Sequence, residues 1–161
     1  MSNNLKIIYS DAGMNSVTGD ESWGCVVDQN SYDLLSENLD LLIDMNIKNK
    51  KLPIGNRSVI KVKFDDVKSQ QNNGGELLAF VAALRIGLKL NYDQIKIDSE
   101  LLHKWWSKGI INPKTLSKMD SLKKNYIYES IDLRKKFEEK GGQIIKISGK
   151  DNLADLGFHK G

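Results

Sequence analysis

Leu5-Lys6-Ile7-Ile8-Tyr9-Ser10-Asp11-Ala12-Gly13 is an apolar run that closes on an acid and a turn. Its apolar density and the Ala-Gly that follows read as a buried strand running into a loop. Leu5, Ile7, Tyr9 and Asp11 share a parity, so they project from one face of a sheet. A turn residue would explain an acid here only if the strand were peripheral, and this one is apolar enough to be central. Asp11 is therefore a candidate for chemistry.

Three further carboxylates sit at element boundaries. Glu76 opens Glu76-Leu77-Leu78-Ala79-Phe80-Val81-Ala82-Ala83-Leu84, in which Leu77, Phe80, Val81, Leu84 and Leu88 recur at helical spacing, so it falls on a first turn. Asp98 ends the short strand Ile95-Lys96-Ile97-Asp98, and Ser99 can cap the helix carrying Leu101, Leu102, Trp105 and Trp106. Asp155 follows the strand Gln143-Ile144-Ile145-Lys146-Ile147 and a short loop, in Asn152-Leu153-Ala154-Asp155. Helix-start chemistry offers a plainer account of single pairs: Asn73 with Glu76 and Asn152 with Asp155 have capping-box spacing, and Asp98-Ser99 can be a strand exit with an N-cap. Capping and metal binding are compatible, because a capped backbone holds its carboxylate in a fixed direction.

The chain resembles ribonuclease H of the type 1 class, within the ribonuclease H-like superfamily. The likeness rests on ordered motifs spread over most of the sequence: Tyr9-Ser10-Asp11-Ala12-Gly13, Asn72-Asn73-Gly74-Gly75-Glu76-Leu77-Leu78-Ala79, Asp98-Ser99, and Asn152-Leu153-Ala154-Asp155. It implies an α/β fold in which a mixed five-stranded sheet is flanked by helices, an antiparallel meander continued by parallel crossovers. It also implies hydrolysis of the RNA strand of RNA–DNA hybrids with two Mg²⁺ ions, for which Mn²⁺ can substitute. Asp11 would bridge the two ions, Glu76 and Asp98 would hold the nucleophile side, and Asp155 would complete the other. Gly13, Asn73 and Gly74 become candidates for contact with the RNA strand. Many members carry a histidine in the loop before the last acid; here that loop is Ser148-Gly149-Lys150-Asp151, and His103 and His159 stand elsewhere.

The coarse element order agrees. Strands are expected near 5–12, 22–28, 57–64, 94–98 and 143–148, with helices near 75–90, 99–108, 120–140 and a short one from 152. Between the second and third strands, Leu35, Leu39, Leu42 and Met45 recur at helical spacing before Lys48-Asn49-Lys50-Lys51 and Pro53, which reads as a helical insertion spanning 30–56 where the family has a tight hairpin. Such an insertion can cover a sheet edge, bind a protein partner, or restrict access to a groove.

The 161 residues suit one domain, 1–161, with 40% hydrophobic and 28% charged content. No apolar run approaches the roughly 20 residues of a membrane span, and the polar start does not read as a secretory signal. Cys25 is the only cysteine, so an intrachain disulfide is excluded. A monomer in the cytoplasm, or in the nucleus of a eukaryotic host, and not a secreted protein, is the expectation. The net charge of +3 is mild, but Lys104, Lys108, Lys114, Lys118, Lys123 and Lys124 gather before and into one helix. Lys123 and Lys124 are the candidates there for phosphate contact, against the plainer reading of a solvated lysine face. Two other functions stay open: a DNA-directed nuclease of the same superfamily, such as a Holliday-junction resolvase, and a non-catalytic nucleic-acid-binding module.

Overall fold

The computed structural model describes residues 6–14, 21–27, 39–44, 46–51, 58–63, 71–119 and 121–152. They form one six-stranded sheet from β1 (Ile7–Met14), β2 (Glu21–Val27), β3 (Asn46–Lys51), β4 (Ser58–Lys63), β5 (Gln94–Ile97) and β6 (Gln143–Lys146), in the order β3-β4-β2-β1-β5-β6. β1, β2, β4 and β3 pair antiparallel, whereas β5 lies parallel to β1 and β6 parallel to β5. Parallel neighbours need crossover connections. The chain supplies them as α1 (Gln71–Lys89) between β4 and β5, and as a helical stretch ending in α3 (Ser121–Glu139) between β5 and β6.

The sheet has one strand more than the five expected, and the extra strand comes from the 30–56 segment. There the described residues give a 3₁₀ turn, Leu39–Leu42, followed by β3 on the outer side of β4. The helical spacing of that segment is a correction to this extent: Leu39 and Leu42 form a turn, residues beyond it are strand, and the stretch 30–38 lies outside the described residues. Lys48, Asn49, Lys50 and Lys51 carry no apolar alternation of their own; β4 imposes the extended form by pairing.

α1 is the centre of the core. Every residue from Leu77 to Leu84 is at most 1% exposed, including Ala79, Ala82 and Ala83. An amphipathic stripe would leave one side wet; this helix has the sheet on one side and α3 with the Leu39–Leu42 turn on the other. Ile8, Ile95, Ile97, Leu42, Tyr126, Ile127 and Phe137 close the cluster around it.

Arg85, late in α1, pins the segment around the Leu39–Leu42 turn to this core. Its guanidinium donates to both oxygens of Asp44 at 2.6 and 3.0 Å, to both of Glu129 at 2.8 and 2.6 Å, and to the Leu41 carbonyl at 3.0 Å. Tyr126 Oη donates to Asp44 at 3.0 Å. The Arg85 hydrogen bonds hold the Asp44 carboxyl below its ordinary range, and burial with the Asp44 bond pushes the Tyr126 phenol up. One arginine thus joins α1, α3 and the segment that precedes β3.

Between β5 and α3 the expected helix at 99–108 takes a different form. Leu101–Trp105 is a π-helical turn that tightens into a 3₁₀ turn, Trp106–Lys108, and ends at Gly109 with φ of 82°. Trp106 belongs to the core, while Trp105 is half exposed. A short helix not foreseen from the sequence, α2 (Pro113–Ser117), follows; Asn112 caps it by accepting from the Lys114 amide at 2.8 Å, with proline at the first position.

Candidate metal centre

Sheet register brings two of the acids side by side. Ser10 on β1 is the parallel partner of Ile97 on β5, so the next residues, Asp11 and Asp98, come together at the ends of adjacent strands. Asp11 is only 4% exposed, and Asp98 is half buried. Glu76 reaches the same place from α1, which lies over β1. One oxygen from each of Asp11, Glu76 and Asp98 lies within 4.8 Å of the others.

Glu76 stands on the second turn of α1, because the helix begins at Gln71 rather than near 75. Asn73 is inside the helix and is not its N-cap, so the capping-box account of Asn73 with Glu76 does not apply. Asn73 and Gly74 lie on the first turn of α1, and Gly13 lies on β1 opposite Ser22.

Asn152 is the residue whose part the sequence did not reveal. It is 4% exposed, and its Nδ2 donates to the Ser10 carbonyl at 2.9 Å and to Asp98 Oδ2 at 3.1 Å. A single amide therefore ties the C-terminal segment to β1 and orients one carboxylate of the cluster. The loop before it comes equally close: a Cβ on Gly149 would lie 3.7 Å from Asp98 Oδ2. Sequence spacing offered Asn152 only as a cap for Asp155, since a bond spanning 142 residues has no local signal. Asp155 itself, and the short helix expected from 152, lie outside the described residues.

Three carboxylates this close suit a hard divalent cation. At 4.8 Å two unit charges repel by roughly 3 kcal/mol at an effective dielectric constant near 20. That exceeds the roughly 0.5–1.5 kcal/mol that an ordinary hydrogen bond returns, so the trio is costly as anions unless positive charge is nearby. Oxygen donors from carboxylates are the ligands Mg²⁺ and Mn²⁺ prefer. The donor set fits such an ion.

The remaining sequence candidates fall outside this cluster. Lys123 is half buried, with its ammonium 5.7 Å from the centre of the Trp106 ring, and Lys124 is half buried beside it on α3. His103 Nε2 lies 3.0 Å from the Ile144 carbonyl on β6, where burial lowers the imidazole pKa below its ordinary value. It is engaged with the backbone of β6; His159 lies outside the described residues.

Among known proteins, no family model matches the chain, and no curated protein matches it. Two solved structures that it resembles are a ribonuclease H domain and a ribonuclease H. One is the N-terminal RNase H domain of a Mycobacterium tuberculosis protein, solved as a fusion with maltose-binding protein, at 15% identity over 92% of this chain and 85% of that one, with a TM-score of 0.47. Another is RNase H1 from the halophilic archaeon Halobacterium salinarum, at 15% identity over 94% of this chain and 91% of that one, with a TM-score of 0.48. No helix among the described residues is long and apolar enough to cross a membrane.

Proposed function

We propose that this protein is a metal-dependent endonuclease that hydrolyses the RNA strand of RNA–DNA hybrids. The observation that carries the reading is the convergence of Asp11, Glu76 and Asp98, from three different elements, to within 4.8 Å. The ordered motifs around those acids add the substrate class. Asp155 completes the ligand set.

Two Mg²⁺ ions, or Mn²⁺ in their place, would supply activation of the attacking water and stabilisation of the leaving 3′-oxygen. The chain's own part is placement. Asp11, on a strand paired on both sides, holds the most fixed carboxylate and would be a ligand to the ions. Asp98 is kept in orientation by Asn152, and Glu76 by the second turn of a helix that is rigid because it is buried. Gly13, Asn73 and Gly74 contact the RNA strand, and Lys123 with Lys124 hold phosphates. No imidazole is assigned a proton, since His103 is bonded to β6. We read 1–161 as a single domain that works as a monomer in the cytoplasm, or in the nucleus of a eukaryotic host.

Labelled RNA–DNA hybrid, each single strand, both homoduplexes and a four-way DNA junction, incubated with Mg²⁺ or Mn²⁺, test this directly. Cleavage of the RNA strand of the hybrid is the expected result. Cutting of the junction with the hybrid untouched would make the protein a resolvase, and tight binding of nucleic acid with no cleavage at all would make it a binding module.

A further inference from the structure

The sheet register carries a second feature, which begins at Asp11 and runs the other way. Asp11 is opposite Gly24 on β2, Gly24 is opposite Lys61 on β4, and Lys61 is opposite Lys48 on the added strand β3. Directly opposed residues share a sheet face, so these four form one cross-strand row. The rows on either side repeat the pattern. On one side Tyr9, Val26 and Val59 lead to Lys50, with Lys96 of β5 at the other end; on the other, Gly13 is opposite Ser22 on β2, and Lys63 of β4 is opposite Asn46 of β3. The opposite parity is different: there the rows hold Ile60 with Asn49, Val62 with Ile47, and Ile8 of the core.

β3 and β4 contain no acid among their described residues, Asn46–Lys51 and Ser58–Lys63. Lysines on an edge strand commonly serve to block pairing with another chain. That accounts for Lys48 and Lys50 on β3. It does not account for Lys61, which lies on β4 paired with Gly24 on one side and Lys48 on the other.

We propose that the rows through Lys48, Lys50, Lys61 and Lys63 form a phosphate track that extends the nucleic-acid site away from Asp11, with the backbone of a duplex as its ligand. The inference rests on the nuclease reading for the identity of that duplex, and it gives the inserted strand a task. At about 4.8 Å between strands, Lys61 stands about 10 Å from Asp11 and Lys48 about 14 Å. At about 3.4 Å per base pair that is three to four base pairs from the reacting phosphate. Gly24, between the acid and the first lysine, leaves the row without a side chain at its second position.

The test is binding of hairpin-closed RNA–DNA hybrids of about three base pairs, too short to reach from Asp11 to Lys48, and about sixteen, in the Asp11→Asn chain so that the substrate persists, with Lys48→Gln and Lys61→Gln added together. Lys51→Gln with Lys135→Gln is the control, because it removes the same charge from the opposite parity of β3 and from the exposed side of α3. For the long hybrid, the track pair should bind about tenfold more weakly and lower the salt slope of log K by about 2, while the short hybrid and the control pair change little. Equal losses from both pairs would mean net charge alone, and equal losses for both hybrid lengths, or none, would also overturn the track. The readout is binding, so it separates from the catalytic reading. A chain that fails to cut hybrid yet shows the length-dependent loss keeps the track, and one that cuts hybrid with no such loss does not.

Discussion

Replacing Asn152 probes whether the C-terminal segment orients the acid cluster. Asn152→Ala removes the bond to the buried Ser10 carbonyl at 2.9 Å and the bond to Asp98 Oδ2 at 3.1 Å. A neutral hydrogen bond contributes about 1 kcal/mol and one to a charged group about 1.5–3 kcal/mol, the latter reduced here because Asp98 is half exposed and water can replace the donor. The expected loss is about 2–3 kcal/mol, which for a chain of this size lowers the melting temperature by roughly 5–10 °C and leaves it folded. Asn152→Asp loses the same two bonds and adds an anion where a donor stood. At 3.1 Å and an effective dielectric constant near 20 that repulsion is roughly 5 kcal/mol, and protonation of the new acid limits it to about 4 kcal/mol at neutral pH. Solvent screening lowers it further, so aspartate should cost roughly 2 kcal/mol more than alanine. Thermal melts followed by circular dichroism, with and without Mg²⁺, measure the gap, which should narrow in Mg²⁺ and also as pH falls from neutral toward about 4, where the new acid is protonated in both states. If the aspartate variant melts with the alanine variant under all conditions, Asn152 does not face the acid cluster.

Five further outcomes can be measured. Arg85→Leu should destabilise the chain by about 2–4 kcal/mol in urea melts, since it strands Asp44 and Glu129, and Arg85→Lys should recover little because one ammonium cannot make paired contacts to two carboxylates. Asp44, held below its ordinary 3.8 by Arg85, contributes stability that is present above that value and lost as pH falls through its lower folded value; Asp44→Asn should flatten this acid limb. His103 is shifted down from 6.5 by burial, so the unfolded chain takes up a proton first and stability falls as pH drops below about 6.5. His103→Gln, which keeps a donor to the Ile144 carbonyl, should remove that slope. In single-turnover cleavage of hybrid, His103→Ala with His159→Ala should cost much less than about a hundredfold, and Lys123→Ala with Lys124→Ala should weaken binding about equally for unrelated hybrid sequences.

Asp11 and Asp98 were legible as candidates because each sits where a short apolar strand ends, and Glu76 because a strongly apolar helical run follows it. β1 and β5 are short apolar runs, and the register that pairs Ser10 with Ile97 follows from burying both. Other parts were not legible, for reasons that are physical. β3 is polar along its length, so its extended form comes from pairing with β4, and the neighbouring leucines suggested a helix of which the described part is a turn. Glu76 was placed one turn too early because Gly74 and Gly75 read as a helix entrance, yet the helix runs through both. Arg85 is one polar residue on an apolar helix, and its role depends on Asp44 and Glu129, more than forty residues away on either side. Asn152 acts across still more sequence.

The most direct measurement of the central claim is single-turnover cleavage of a labelled RNA–DNA hybrid by the parent chain and by Asp11→Asn across a series of Mg²⁺ concentrations, with folding checked by circular dichroism. An amide in place of the buried carboxylate removes the charge that the cluster needs to hold the ions, a loss of several kcal/mol of transition-state stabilisation. About 4 kcal/mol corresponds to roughly a thousandfold in rate. The account predicts Mg²⁺-dependent cutting of the RNA strand by the parent and a loss of at least that size in the folded variant. Cleavage by Asp11→Asn within about tenfold of the parent, at the same Mg²⁺ dependence, would contradict it.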